Sequence, residues 1–279
     1  MKLRLWHHRD GARVAYREAG VGPALVLLHS ATLTHREFAP VVEHLTHRFR
    51  VVLPDLPLHG DSEDRPRHPY TPEWMAEVVG AFCHGVAGRR PNVAGHGLGA
   101  ELLLDAAARE QLHPGRLVLM PNALHRPPEH GTRRTLWRAT ARAAAVPGLD
   151  RALSHGARLV FRPSRGRQLS ARGNPAAEDL YRHAFADVGG NTERARAWAR
   201  HARSWPAGPR RDLLDAYAHI TAPTLLLWAD RDPLHPLQGA EEALDLLPHA
   251  QLRVLPDTGY LLAYDDPVGV ARELSAFCG

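Results

Sequence analysis

Cysteine is scarce in this 279-residue sequence: the chain has two, Cys83 and Cys278, and no pair with the spacing of a metal site. A disulfide-stabilised fold and a cysteine-rich metal centre are therefore excluded. Histidines and carboxylates show no spacing of the H-E-x-x-H kind. We therefore expect neither a metal ion nor another cofactor.

Long apolar runs are absent as well. No segment approaches the length needed to span a membrane, and the first ten residues lack the apolar stretch of a secretory signal. With 44% hydrophobic and 23% charged residues, the composition is that of a globular chain and not of a disordered one. We predict a cytoplasmic protein with no membrane association.

Lysine is almost missing. Lys2 is the one lysine among 35 basic residues, the other 34 are arginine, and the net charge is +5. A basic chain can attract nucleic acid, but this one shows neither basic residues interleaved with aromatic ones nor a nucleic-acid-binding motif. We therefore expect no nucleic-acid partner.

What the chain does contain is an alternation of predicted strands and helices. Short apolar runs, such as 24–29 (ALVLLH) and 224–228 (TLLLW), are typical of buried parallel strands, and segments with helical spacing separate them. The alternation stops after Pro121 and resumes at Thr224. We predict an α/β core domain of residues 1–123 and 216–279, with a mostly parallel sheet flanked by helices, and a helical insertion at 124–215.

The predicted insertion carries the basic character of the chain. It holds 18 arginines and 8 acidic residues, a net charge of +10, whereas the rest of the chain has a net charge of −5. Three interpretations remain open. The arginines could form a solvated surface in an arginine-biased chain, attract an anionic substrate, or dock an acidic carrier protein with a tethered substrate.

A glycine-rich turn follows the predicted strand at 92–94. The sequence Gly95-His96-Gly97-Leu98-Gly99 lies between that strand and a predicted helix. It resembles the nucleophile elbow, G-x-S-x-G, of the α/β-hydrolase superfamily, with Gly97 at the position of the nucleophilic serine. Glycine has no side chain that can attack a substrate.

Four further segments carry the same resemblance, in the order that the family has along its chain. They are 27–30 (LLHS), 55–62 (DLPLHGDS, with Leu58 in place of a glycine), 227–233 (LWADRDP) and 257–267 (DTGYLLAYDDP). By this resemblance the triad acid falls on Asp232, and Tyr260 occupies the position of the triad histidine. The resemblance implies an α/β-hydrolase fold in which the insertion forms a helical cap over the site.

The resemblance also assigns roles to individual groups. The backbone N–H groups of Ser30 and Leu98 would form an oxyanion hole, which can stabilise an enolate as well as a tetrahedral intermediate. Tyr260 would donate or relay a proton with Asp232 as its neighbour. Two structural interpretations stay open: Tyr260 fills the space of the missing imidazole, and Asp232 holds its own loop.

Histidines near these segments are further candidates. Gly97, His29 and His35 would line the pocket, although both histidines are also compatible with a structural role. His125 and His235 lie near loops at the edge of the pocket and receive no role. Because the chain has 19 histidines, chance placement competes with function at each of them.

Three functions follow as alternatives. The first is a cofactor-independent, non-hydrolytic enzyme of cyclase, lyase or isomerase type that acts on a carbonyl-containing small molecule in biosynthesis. The second is a hydrolase of an ester or a C–C bond, in which Asp232 or a nearby histidine activates water. The third is a ligand-binding pseudoenzyme without catalysis.

Overall fold

The computed structural model describes residues 1–63, 68–123, 163–188, 194, 197, 198, 201, 204 and 211–279. Within these ranges the chain forms an eight-stranded sheet. The strands, numbered β1 to β8, are Lys2–His7, Arg13–Ala19, Ala24–Leu28, Arg50–Pro54, Asn92–Gly95, Arg116–Leu119, Thr224–Ala229 and Ala250–Leu255. Their order in the sheet is β1-β2-β4-β3-β5-β6-β7-β8.

Most neighbouring strands run parallel. β1 pairs antiparallel with β2, and β2 pairs antiparallel with β4, while all pairs from β4 to β8 across the sheet are parallel. The predicted α/β fold with a mostly parallel sheet is confirmed. The loops that follow β3, β5, β7 and β8 therefore lie at one edge of the sheet, where ligands bind in open α/β folds.

Helices form the connections. A 3₁₀ turn spans His35–Phe38, and the described helices, numbered α1 to α9, are Ala39–Leu45, Pro72–Ala87, Leu98–Ala108, Ser164–Leu169, Pro175–Val188, Arg211–Tyr217, Leu237–Leu246, Leu262–Asp265 and Pro267–Cys278. A threonine cap and a proline mark the start of α2. The side chain of Thr71 accepts a hydrogen bond from the N–H of Trp74 at 3.3 Å, and Pro72 is the first helical residue.

The core has one apolar layer on each face of the sheet. Alternate residues of β3 point to opposite faces: Val26 and Leu28 join the cluster that includes α2 and α3, and Leu25 and Leu27 join the cluster that includes α1 and α9. All four are fully buried. A strand buried on both faces is apolar throughout, which explains the continuous apolar run at 24–29.

The predicted insertion at 124–215 lies largely outside the described residues. Its described parts are the segment 163–188, called here the cap segment, the positions 194, 197, 198, 201 and 204, and the start of α6. Leu213 and Tyr217 of α6 belong to the core cluster with α3. The boundaries of the insertion stay a prediction. No helix in the described ranges is long and apolar enough to cross a membrane.

Candidate functional site

Gly97 lies at the tight turn between β5 and α3. Its φ of 49° and ψ of −119° fall in the region that glycine tolerates best. A Cβ atom at this position would lie 2.6 Å from the Tyr260 hydroxyl and 2.9 Å from Cβ of Ser30, and closer still to the Ser30 hydroxyl. The side chains of Ser30 and Tyr260 therefore fill the space next to Gly97.

Ser30 and Tyr260 form a buried pair of hydroxyl groups. Ser30 follows β3, Tyr260 follows β8, and their oxygens share a short hydrogen bond. Burial raises the pKa of Tyr260 well above its usual value, and the negative charges of Glu37 and Asp232 act in the same direction. Both hydroxyls therefore keep their hydrogens, so that one O–H binds the other oxygen and the second can donate to a substrate.

Glu37 is a functional candidate that the sequence analysis did not identify. It lies in the 3₁₀ turn and is 2% exposed. Its Oε2 accepts a hydrogen bond from the backbone N–H of Ser30 at 2.7 Å, and its Oε1 forms a short hydrogen bond with Nδ1 of His96. The carboxylate thus connects the loop after β3 with the turn after β5. No spacing in the sequence marks it, because its partners lie 7 and 59 residues away.

The position of Glu37 corrects one predicted role. The N–H of Ser30 donates to a carboxylate, so it is engaged and does not serve as the predicted oxyanion-hole donor. In the described part of the chain the N–H groups of Leu98 and Ala31 have no hydrogen-bond partner. Leu98 is the first residue of α3, where the helix dipole favours negative charge. Leu98 stays the predicted donor, and Ala31 takes the place of Ser30 as the second candidate.

His96 packs against the phenol. It is 1% exposed, and its ring centroid lies 4.3 Å from that of Tyr260. Because the carboxylate of Glu37 can only accept when it is ionised, Nδ1 of His96 carries the proton of their hydrogen bond. Its buried Nε2 has no hydrogen-bond partner within the described ranges.

Asp232 lies in the loop after β7 and has a different partner from the predicted one. Its buried side chain accepts a hydrogen bond from the N–H of Leu234 at 2.7 Å, and its Oδ2 lies 3.0 Å from Nδ1 of His235. The predicted pairing of Asp232 with Tyr260 is therefore not direct, since the Tyr260 hydroxyl binds Ser30 instead. Asp232 affects Tyr260 through its charge.

The surroundings of His29 favour the structural interpretation over the predicted pocket role. It is fully buried, and backbone groups use both of its ring nitrogens. Nε2 accepts from the N–H of Leu56 at 2.9 Å, so Nδ1 carries the proton and donates to the carbonyl of Ser30 at 2.8 Å. Burial lowers the pKa of His29, which keeps the ring neutral. Its function is to hold two loops together.

His35 belongs to a charged cluster behind the site. Its Nδ1 lies 2.9 Å from Oδ1 of the buried Asp55 and 3.1 Å from the Arg17 guanidinium. Although burial acts to raise it, the hydrogen bonds and charge of His35 hold the pKa of Asp55 at about 2. Among the residues that the structure describes, no hydrogen bond or ring contact joins His35 to Gly97, Tyr260 or Asp232. The structure thus places His35 with Asp55 and Arg17, and its pocket role stays a prediction.

The cap segment is tied to the loop that carries Tyr260. The buried carboxylate of Asp265 accepts from the N–H groups of Ala171 and Gly259, each at 2.8 Å, and from the hydroxyl of Ser170. A Cβ atom on Gly259 would lie 2.6 Å from the carbonyl oxygen of Leu169, so a glycine is needed for this close approach. Tyr181 of α5 packs in one cluster with Tyr260.

Metal-binding side chains do not cluster in the described part of this chain. Within the described ranges, no group of three or more histidine, cysteine and carboxylate side chains has an arrangement that could hold a metal ion. Burial raises the pKa of both Cys83 and Cys278 to about 12, so neither thiol is reactive at neutral pH.

A comparison with models of protein families shows which family this chain belongs to. The model described as "Alpha/beta hydrolase family" matches residues 25–273, which include the turn at Gly97, Asp232 and Tyr260. The chain belongs to the alpha/beta hydrolase family. The match spans the elbow between β5 and α3 and the loops after β7 and β8. The catalytic roles that the sequence resemblance implies for these three positions stay predictions.

Two curated proteins show what this alpha/beta hydrolase family member is similar to. A pimeloyl-[acyl-carrier protein] methyl ester esterase from Xanthomonas oryzae pv. oryzae is 31% identical over 275 residues, covering 91% of this chain and 95% of that protein. A magnesium-chelatase 30 kDa subunit from Rhodobacter capsulatus is 29% identical over 250 residues, covering 86% and 81%.

Solved structures of other proteins share the fold over nearly the whole chain. An alpha/beta hydrolase fold protein from Burkholderia ambifaria has a TM-score of 0.79 at 20% identity, covering 97% of this chain and 96% of its own. A thermophilic esterase from Thermogutta terrifontis has a TM-score of 0.77 at 20% identity, covering 100% and 98%.

Proposed function

We propose that this alpha/beta hydrolase family member is an enzyme that transfers protons to and from a carbonyl compound without forming a covalent intermediate at residue 97. The reaction would be of the cyclase, lyase or isomerase type. One observation carries the proposal: two hydroxyl groups, of Ser30 and Tyr260, fill the space in which the family's nucleophile would lie.

The state of Tyr260 supports a role as a hydrogen-bond donor or general acid. A phenol with a pKa raised well above 10 stays protonated at neutral pH and cannot act as a base there. Its O–H and the backbone N–H of Leu98 are donors of the kind that stabilise a developing enolate oxygen. Acyl-enzyme chemistry would in addition need a nucleophile with an adjacent base, and Gly97 supplies no nucleophilic group.

The relatives suggest how the substrate is presented. The esterase relative is named for a substrate on an acyl carrier protein, and the +10 charge of the predicted insertion would suit an acidic carrier. We therefore propose a small carbonyl compound, held as a carrier-bound thioester, as the substrate class. Hydrolysis by direct attack of water is the second candidate function, because the same relative is an esterase.

One probe separates these functions. The phenylacetyl thioester of N-acetylcysteamine mimics a carrier-bound acyl group and has exchangeable protons next to its carbonyl. In deuterated buffer, proton transfer incorporates deuterium at that carbon, which NMR detects, whereas hydrolysis releases a thiol. We expect deuterium incorporation by the wild type and at least about tenfold less with Tyr260→Phe.

Tyr16→Phe is the matched control, because Tyr16 lies on β2 against Phe82, away from the elbow. It should exchange like the wild type. Thiol release without deuterium incorporation would establish the hydrolase instead. If neither occurs above the buffer rate while the thioester binds, the protein is a ligand-binding member of the family without catalysis.

A further inference from the structure

The triad acid of this chain has a histidine partner, and that histidine lies in its own loop. Nδ1 of His235 is 3.0 Å from Oδ2 of Asp232, whose side chain is fully buried. An ionised carboxylate only accepts hydrogen bonds, so Nδ1 carries the proton. The lone pair of the neutral imidazole is then on Nε2, as in a histidine that acts as a general base.

The loop holds this imidazole in a defined position. The indole N–H of Trp228 donates to the carbonyl of His235 at 2.9 Å, and the N–H of Leu234 donates to Asp232 at 2.7 Å. Trp228 is 1% exposed and lies at the end of β7. The backbone of His235 is therefore anchored to the core through Trp228, as the orientation of a catalytic base requires.

His235 also lies next to the phenol. Its ring stacks on that of Tyr260, with centroids 5.4 Å apart and planes inclined by 25°. By the sequence resemblance Tyr260 occupies the position of the family's histidine, and the ring of His235 lies beside it. A base and a protonated hydroxyl are thus side by side at the same edge of the sheet.

We propose that His235, oriented by Asp232, is the general base of this site. The proposal rests on the proton-transfer function above and names the group that accepts the proton. Nε2 of His235 takes a proton from the carbon next to the substrate carbonyl, and the C–H electron pair becomes the C=C bond of an enol. The carbonyl π electrons move to oxygen, which takes the proton of the Tyr260 hydroxyl or is stabilised by its hydrogen bond.

Exposure distinguishes His235 from the other imidazole near the phenol. His96 is 1% exposed and lies behind Tyr260 against Glu37. The side chain of His235 is 18% exposed, and in the described part of the chain its Nε2 has no hydrogen-bond partner. His235 is therefore the imidazole of the two that a substrate can reach.

The test uses 5-nitrobenzisoxazole, a small carbon acid whose elimination needs a base. Removal of its C–H proton breaks the N–O bond and yields a coloured cyanophenolate, so the base alone starts the reaction. His235→Asn preserves a donor to Asp232 but has no basic nitrogen. We expect it to lower kcat about 100-fold, and Asp232→Asn to lower kcat about tenfold with KM unchanged.

His219→Asn is the matched control, because His219 is exposed and its Nδ1 binds the backbone carbonyl of Asp215. It should keep the wild-type rate. The proposal would be overturned if the wild type and His235→Asn catalyse the elimination at equal rates and circular dichroism shows that both proteins are folded. His235→Asn could lose the elimination activity while Tyr260→Phe still exchanges the thioester protons at the wild-type rate. This result would support His235 as the base and contradict Tyr260 as the proton donor.

Discussion

The side-chain oxygen of Ser30 lies where a side chain on Gly97 would begin. The two residues are 67 positions apart in the sequence, and the loops after β3 and β5 bring them together. A serine hydroxyl therefore lies next to the elbow, and it comes from the loop after β3. It is bound to a phenol there, not to an imidazole.

The first prediction concerns this shared space. Gly97→Ser should destabilise the fold by about 1–3 kcal/mol, because the new Cβ would overlap with the Ser30 hydroxyl. Ser30→Gly in the same chain should recover at least about 1 kcal/mol of that loss, since the two positions contact each other. Urea unfolding of the two single variants and the double variant measures the coupling.

Gly173→Ser separates crowding from backbone strain. Gly173 has a φ of 61°, similar to that of Gly97, but a Cβ there would meet nothing within 4 Å. Gly173→Ser should therefore lower the free energy of unfolding by less than Gly97→Ser does. If the changes in unfolding free energy of Gly97→Ser and Ser30→Gly simply add in the double variant, the two side chains do not compete for the same space.

The second prediction concerns the ionisation of Tyr260. Burial raises the pKa of this phenol well above 10, and its oxygen shares a hydrogen bond with Ser30. Tyr260→Phe should therefore leave the tyrosinate absorbance that develops between about pH 9 and 11 unchanged. Loss of one tyrosine's share of that absorbance in the variant would show that the phenol ionises at its ordinary pH, and the proposed protonated donor would fail.

The third prediction is a loss of stability in mild acid. Burial lowers the pKa of His201 to about 4, and it lowers that of His59 well below the usual value. Below about pH 6.5 the unfolded chain binds these protons and the folded chain does not, so the free energy of unfolding falls. Each such histidine contributes a slope of about 1.4 kcal/mol per pH unit, and for His201 the loss continues down to about pH 4.

Urea unfolding at a series of pH values measures this slope. His201→Gln should reduce the slope of the unfolding free energy against pH by the contribution of one histidine. Asp55, with a pKa of about 2, acts in a separate window: its stabilisation is present above about pH 4 and is lost as the pH falls further towards 2. An unfolding free energy that stays constant between pH 6.5 and 4.5 would contradict the assignment of neutral buried histidines.

The fourth prediction concerns the attachment of the cap segment. Asp265→Asn replaces an acceptor of three hydrogen bonds by an amide with one acceptor oxygen, so we expect a destabilisation of about 3 kcal/mol. Amide exchange at Ala171 and Gly259 should become faster. Asp179→Asn, which removes an exposed ion pair with Arg182, should leave both measurements unchanged.

The central strands β3, β4, β6 and β7 were predictable because they are short, mostly apolar runs. The turn at Gly97 and the loops with Asp232 and Tyr260 were located by their sequence motifs. They were expected to lie close together because the parallel strands before them end at one edge of the sheet. Segment 55–62 departs from the family at Leu58. The structure holds this buried leucine at a φ of 78°, a conformation that glycine would adopt without strain.

The partners of the site residues were not predictable in the same way. Glu37 reaches His96 across 59 residues, and a helical pattern does not show which polar residue turns inwards. His235 lies three residues after Asp232, a spacing visible in the sequence, yet side-chain direction in a loop with prolines follows from tertiary contacts. Of the predicted pocket residues, His29 and His35 are held by neighbours that only the fold brings near.

Asp265 links the position of the phenol to the cap segment. Its carboxylate holds Ala171 of the cap segment and Gly259, the residue before Tyr260, at the same time. A change in the cap segment that pulls Ala171 away would therefore remove a partner from the same carboxylate that holds the backbone next to Tyr260. A substitution in the cap segment can in this way reach the site without contacting it.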